Sequence, residues 1–249
     1  MTSFADHFST VAAHYAAYRP HYPPALVEAL AARCARRDVA WDVGCGSGQL
    51  SVALADAFAR VIATDPAQAQ LDAATSHPRV EYVRAPAEAS GLPERSIDLA
   101  VAAQAAHWFD FARFVDEVAR VARPGALAAL VSYNTVELAG DAGAIARAYY
   151  DDLGAYWPAE RRHVENGYRE LDWPRAWPAV DAPDIAMREA WTRDELVGYT
   201  TTWSATARLV AAEGAARFDA FRARLARAWP ANEPREIAWR LTIKLARVR

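Results

Sequence analysis

The stretch WDVGCGSGQL, residues 41–50, decides the reading of the fold. It places three glycines, Gly44, Gly46 and Gly48, between an apolar run and a helical pattern. Glycine admits positive φ and lets a ligand come close to the main chain. Val39 to Val43 reads as a short buried strand, the glycines as a tight turn, and Leu50, Val52, Leu54 and Phe58 as part of a helix. A strand, a glycine turn and a helix in succession bring the first helical N–H groups to the carboxyl end of a strand, where α/β proteins bind nucleotides.

The same alternation runs outward in both directions. Upstream, Pro23 and Pro24 can open a helix that carries Leu26, Val27, Leu30 and Cys34 at helical spacing and ends near Arg37. Downstream, Arg60 to Thr64, Arg79 to Val83 and Ile97 to Ala103 are strand-like, with Ala67 to Thr75 helical between the first two. Phe111, Phe114, Val115, Val118 and Val121 make an amphipathic helix, Arg123-Pro124-Gly125 stops it, and Leu127 to Tyr133 resumes as strand. Strands alternating with helices imply a mostly parallel sheet wound right-handedly. The expected fold is α/β and Rossmann-like, a seven-stranded mostly parallel sheet flanked by helices.

From about Glu137 the pattern changes. Tyr149, Tyr150, Tyr156, Trp157, Tyr168, Trp173 and Trp177 stand among prolines and charges without strand periodicity. Residues 137–183 are therefore expected to be a helical insertion after the fifth strand, capping the substrate within a single domain of residues 1–249. Met187 to Trp191 then returns to the sheet, Asp194 to Leu209 and Ala215 to Trp229 are helical, and Glu236 to Val248 closes the sheet.

Composition narrows the function. A net charge of −3 over 249 residues supplies no basic field for nucleic acid and no cationic amphipathic surface for a membrane. Cys34 and Cys45 match neither a disulfide framework nor a metal spacing, and the N-terminal MTSFADHFST lacks the basic and apolar regions of a signal peptide. The expectation is a cytoplasmic protein with a small-molecule substrate, no bound metal, and an oligomeric state that the sequence leaves open.

Asp65 ends the second strand, 21 residues after Gly44, where a carboxylate can accept from a ribose diol. A dinucleotide is usually cradled by GxGxxG, whereas here the third glycine comes one position early. Asp42, just before the turn, sits badly beside a phosphate and well beside a cation such as an amino group or a sulfonium. A nicotinamide oxidoreductase and a non-catalytic cofactor-binding protein stay as alternatives at this point. No Tyr-x-x-x-Lys pair is evident for the first, since Lys244 is the one lysine of the chain.

Asp42-Val43-Gly44-Cys45-Gly46-Ser47-Gly48, Thr64-Asp65-Pro66, and Leu92-Pro93 followed by Ser96-Ile97-Asp98 resemble the successive motifs of class I S-adenosylmethionine-dependent methyltransferases. The resemblance spans about residues 11 to 135. More narrowly, Tyr18-Arg19-Pro20-His21-Tyr22-Pro23 and Ala106-His107-Trp108-Phe109-Asp110 are similar to the small-molecule branch with trans-aconitate methyltransferase-like proteins.

The resemblance implies S-adenosylmethionine as cofactor. It gives the methionine part to Gly44, Gly46 and Gln104 and the ribose to Asp65 beside Pro66. The adenine falls to Ala87 and Glu88, and the methionine carboxylate to Arg19, on an N-terminal segment with Tyr15 that folds over the cofactor. His107 is the catalytic candidate, either a general base for an acceptor that must lose a proton or a residue packing the pocket. The acceptor atom is expected to be an oxygen, of a carboxylate or a hydroxyl, with Arg161, Arg162 and His163 available to attract an acidic substrate.

Overall fold

The computed structural model describes residues 18–249. Five strands, β1 (Val39–Val43), β2 (Arg60–Asp65), β3 (Val80–Arg84), β4 (Ile97–Ala103) and β5 (Ala122–Tyr133), lie parallel in the order β3-β2-β1-β4-β5. The strand order reverses between β1 and β4, which opens a crevice at their carboxyl ends. The last strand, β8 (Arg235–Arg247), runs antiparallel to β5. Its other edge is covered by β6 (Ala179–Val180) near the carboxyl end and by β7 (Ala186–Trp191) near the amino end. The sheet thus has eight strands where the sequence suggested seven. The extra one, β6, is two residues long, too short to leave a periodic signal.

Alternation along the strands sorts side chains onto two faces. Ala40, Leu99, Val101, Leu127, Ala129 and Val131 join one buried cluster with Leu26 and Leu30 of α1 (Pro24–Ala32) and Leu50 and Leu54 of α2 (Gln49–Leu54). Trp41, Val43, Ala100, Ala102, Ala128 and Leu130 join the other. There they meet Phe114, Val118 and Val121 of α4 (Phe111–Val121). The short α3 (Gln68–Asp72) links β2 to β3. Each fully buried valine, leucine or phenylalanine among them contributes about 1.5 to 3 kcal/mol. Helix α1 ends at Ala32, not near Arg37. Arg37 instead turns its guanidinium back onto the Ala31 carbonyl (3.1 Å), ending the helix one turn early.

The segment after β5 is helical, as expected. It carries α5 (Gly140–Asp152), a 3₁₀ turn over Gly154–Tyr156, and α6 (Arg161–Glu165). A second helical unit lies between β7 and β8, formed by α7 (Arg193–Thr201), α8 (Ser204–Glu213) and α9 (Ala216–Ala228). A capping box starts α7, with the Thr192 side chain accepting from Glu195 N and the Glu195 carboxylate accepting from Thr192 N (2.7 Å). The two units pack together through Tyr149 of α5, stacked on Phe221 of α9 at 4.2 Å between ring centroids. Among the described residues no helix is long and apolar enough to cross a membrane.

Candidate functional site

The glycine turn is built by backbone contacts. The N–H groups of Gly44 and Cys45 both donate to the Thr64 carbonyl (2.8 and 3.0 Å), which folds the end of β1 against β2. Two of the glycines are required by neighbours. A Cβ on Gly44 would lie 2.7 Å from Cβ of Ala105, and one on Gly48 would run into the Tyr82 ring, whose hydroxyl donates to the Thr75 carbonyl (2.8 Å). Gly46 meets no such obstruction. Its N–H donates to Asp65 Oδ2 (3.0 Å), and Asp65 Oδ1 accepts from Ala67 N (2.8 Å). Asp65 therefore braces the turn while keeping a lone pair on each oxygen for a further donor.

Asp42 is buried beneath this turn and accepts from the Ser51 hydroxyl at 2.6 Å. Burial pushes its carboxyl up to about 7, against the pull of the Ser51 hydrogen bond, and the nearby Asp65 adds to the rise. Burial likewise raises Asp65, opposed by the Ala67 and Gly46 N–H groups. A cation arriving beside Asp42 would draw it into the ionised form.

At the end of β4, Gln104 takes a left-handed backbone conformation (φ 55°), a strained state for a non-glycine residue. Its side chain clasps β5, with Nε2 donating to the Tyr133 carbonyl (3.0 Å) and Oε1 accepting from Tyr133 N (3.1 Å). Two cavities meet at this residue. One, about 580 Å³ of empty space, is lined by Asp42, Gly44, Gly46, Gln104, Tyr133 and Arg19, among others. The other, about 640 Å³, shares Arg19 and Gln104 and continues past His107, Trp108, Arg161, Tyr199 and Trp203.

Arg19 spans the junction. It donates to the Tyr133 hydroxyl (3.2 Å) and the Thr202 carbonyl (3.3 Å), with its guanidinium carbon 5.5 Å from the Tyr199 ring centre. The first cavity thus offers a carboxylate and a guanidinium, complementary to the amino and carboxylate ends of an amino acid. The second cavity is cationic and aromatic. Arg161 lies over the rings of Tyr150 (5.5 Å) and Trp157 (5.0 Å) and donates to the Tyr150 hydroxyl (3.0 Å) and Asn134 Oδ1 (3.2 Å). Among the described residues Arg161 forms no ion pair. Its neighbours behave differently: Arg162 and His163 both turn to Glu170 (3.8 and 3.1 Å).

His107 occupies a 3₁₀ turn, Ala106–Trp108, after β4. Its Nδ1 is 3.0 Å from the Tyr168 hydroxyl. Burial, then the electrostatic influence of Arg161 and of His163, pushes the imidazole down to about 3. At neutral pH it is uncharged and a weak base.

The remaining candidates lie apart from these cavities. Glu88 accepts from the backbone N–H of Asp110 (2.8 Å) and so supports the start of α4, whose N-cap is Asp110. Ala87 is buried in the second core cluster, and Pro66 offers its carbonyl to Arg84 (3.2 Å). Tyr15 lies outside the described residues. Asp98, within one of the motif stretches, sits at the opposite end of the sheet. It accepts from Asp38 N (2.8 Å), Val39 N (3.0 Å) and Arg123 (2.7 Å), anchoring the start of β1. Sequence reasoning missed Tyr199, Thr202 and Trp203, which reach the second cavity from the α7–α8 corner. It had no period or motif there to read beyond a helical one.

Comparisons with known proteins identify the family. Residues 41–130 match the family model described as a methyltransferase domain. A protein named as a methyltransferase in Dictyostelium discoideum is 32% identical over 216 residues, covering 85% of this chain and 81% of its own. The chain belongs to the class I S-adenosylmethionine-dependent methyltransferases. A solved structure named as a type II methyltransferase from Anaeromyxobacter dehalogenans is 43% identical, covers 93% of this chain and 98% of its own, and superposes with a TM-score of 0.86. A Saccharomyces cerevisiae protein named as an S-adenosylmethionine-dependent methyltransferase is 28% identical over 63% of this chain, which spans 58% of that relative. The zwitterion-matching pair Asp42 and Arg19 fits the methionine end of this methyltransferase's cofactor.

Proposed function

We propose that this methyltransferase methylates an oxygen of a small acceptor, most simply a carboxylate, held in the cavity around Arg161. The carrying observation is the guanidinium of Arg161, fixed between Tyr150 and Trp157 with no carboxylate of its own among the described residues. An anionic acceptor completes that charge. The segment 137–183 serves as a cap, since it supplies Tyr150, Trp157 and Arg161, and the α7–α8 corner closes the same cavity from the other side. The likeness to the trans-aconitate branch belongs to this reading. So do a cytoplasmic location, in keeping with two free thiols, and a ligand set without nucleic acid.

In this reading Arg19 and Asp42 hold the methionine end. Gly44 and Gly46 let it lie against the turn, Asp65 receives the ribose hydroxyls beside Pro66, and Ala87 and Glu88 border the adenine. Bound there, S-adenosylmethionine would supply an electrophilic methyl on a sulfonium, open to an acceptor oxygen, with the carbon–sulfur electron pair left on sulfur. Gln104 and Arg19, common to both cavities, orient the reacting ends, and such positioning can carry much of the rate. An ionised carboxylate has no proton to lose, consistent with a weakly basic His107.

Incubation with methyl-labelled S-adenosylmethionine and a panel of carboxylates, phenols, alcohols and amines tests the proposal. Label in a base-labile methyl ester is expected. Bound cofactor with label transferred to amines alone would refute the oxygen assignment.

A further inference from the structure

We propose that Tyr168 is a positioning residue that holds His107 neutral with its proton on Nε2, so that the imidazole gives the acceptor an N–H donor and takes no proton from it. The inference rests on the reading of the Arg161 cavity as the acceptor site and adds a role for a residue outside that cavity's lining.

The argument is one of hydrogen-bond accounting. Tyr168 is completely buried, and a buried phenol needs a partner for its O–H. Its oxygen lies 3.0 Å from His107 Nδ1, the partner its hydroxyl has among the described residues. If Nδ1 carried the proton, it would donate to that oxygen, and the phenolic O–H would be left without an acceptor among the described residues. That orphaned donor costs about 1 to 3 kcal/mol. With Nδ1 bare, the phenol donates to it and every group is satisfied. The neutral ring then carries its proton on Nε2, which has no partner among the described residues while the ring itself lines the cavity. Burial keeps the Tyr168 phenol protonated well above its ordinary range, so the donor persists at any working pH.

The surroundings hold Tyr168 rigidly. It sits in the left-handed region (φ 57°), directly after Gly167 (φ 66°) at the end of α6. Tyr168 N donates to the His163 carbonyl (2.7 Å), closing the turn. The chain's one lysine, Lys244 on β8, donates to the carbonyls of Tyr168 (3.0 Å) and Leu171 (2.9 Å) and pairs with Asp172. A strained turn pinned from the sheet is the kind of device that serves a site rather than general stability. The charged and titratable groups around His107 act in the same direction. Arg161 and His163 on α6 both disfavour an imidazolium, and His163 Nδ1 lies 3.1 Å from the Glu170 carboxylate.

The test is nitrogen-15 spectroscopy of histidine-labelled protein without acceptor, with His107 assigned through His107→Gln. Expected is the pattern of a protonated Nε2 and a bare Nδ1, unchanged from pH 5 to 8. In Tyr168→Phe, which keeps the ring, the two tautomers should mix and the titration move upward. A proton on Nδ1 in the wild type, or a titration between pH 5 and 8, would overturn the proposal. In kinetics, Tyr168→Phe should raise the acceptor KM about fivefold with a smaller change in kcat, the worth of one oriented hydrogen bond. An acid limb in kcat near pH 6 to 7 that vanishes in His107→Gln would show a base and contradict it. Because the spectra need no acceptor, an intact tautomer pattern alongside absent methyl transfer would support the Tyr168 assignment and count only against the acceptor reading.

Discussion

The two cavities that meet at Arg19 and Gln104 are built by different means. The side proposed for the cofactor is local: Asp42, Gly44, Gly46 and Asp65 lie within 24 residues at the ends of two adjacent strands, and backbone N–H groups do most of the shaping. The side proposed for the acceptor is assembled over long range and is cationic and aromatic. It joins His107 after β4, Tyr150, Trp157 and Arg161 of the 137–183 segment, and Tyr199 and Trp203 of the α7–α8 corner. One side is specified by chain conformation, the other by which helices pack together. The former should tolerate almost no backbone change, and the latter should lose function through single side chains while the fold survives.

The largest expected effect tests the first half of that contrast. Gly44→Ala forces a Cβ to within 2.7 Å of Ala105 at a φ of 68°, so it should destabilise the protein by about 3 kcal/mol, combining overpacking with a left-handed residue. Denaturant unfolding measures it. A loss below 1 kcal/mol would show that the turn can yield.

Proton linkage separates the two sides next. Asp42, raised to about 7 in the fold, contributes stability that is present below its unfolded value near 4 and is lost as pH rises through 7. His107, lowered to about 3, contributes stability that is present above 6.5 and is lost as pH falls toward 3. Between pH 4.5 and 6.5 the two slopes oppose each other. Relative to wild type, Asp42→Asn should make stability rise with pH across this window and His107→Gln should make it fall, each by about 2.5 kcal/mol. Unfolding curves at the two pH values check the signs, and equal slopes in all three proteins would remove both shifts.

Single-side-chain loss on the acceptor side comes third. Arg161→Gln should lower kcat/KM for a carboxylate acceptor by about 2 kcal/mol, roughly 30-fold, with S-adenosylmethionine affinity unchanged. Parallel loss of cofactor affinity, read by calorimetry, would blur the division between the sides. The smallest effect is on Asp65→Ala, expected to weaken cofactor binding by about 1.5 kcal/mol through the ribose contact and the Gly46 brace. Unchanged affinity would leave Asp65 a purely structural clamp.

The same contrast explains what was legible in the sequence. Strands β1 and β4 and helix α4 have the bounds that alternation and helical spacing suggest, because their faces pack against one common sheet. The glycine turn was legible as a site because its geometry is encoded in consecutive residues. Its division of labour was not, since only the fold brings Ala105 under Gly44 and Tyr82 over Gly48. On the acceptor side Arg161, Arg162 and His163 look equivalent in sequence. Which of them reaches the cavity depends on Glu170, seven and eight residues on, capturing the other two. Tyr168 could be seen as one aromatic among many, and its link to His107 spans 61 residues. Tyr199 and Trp203 belong to a helical unit that carried no motif.

A crystal structure with S-adenosylhomocysteine bound tests the central claim most directly. The sulfur is expected at the junction of Arg19 and Gln104, facing the Arg161 cavity, with the amino group beside Asp42. A homocysteine end lodged against Arg161, or a sulfur turned away from that cavity, would contradict the account.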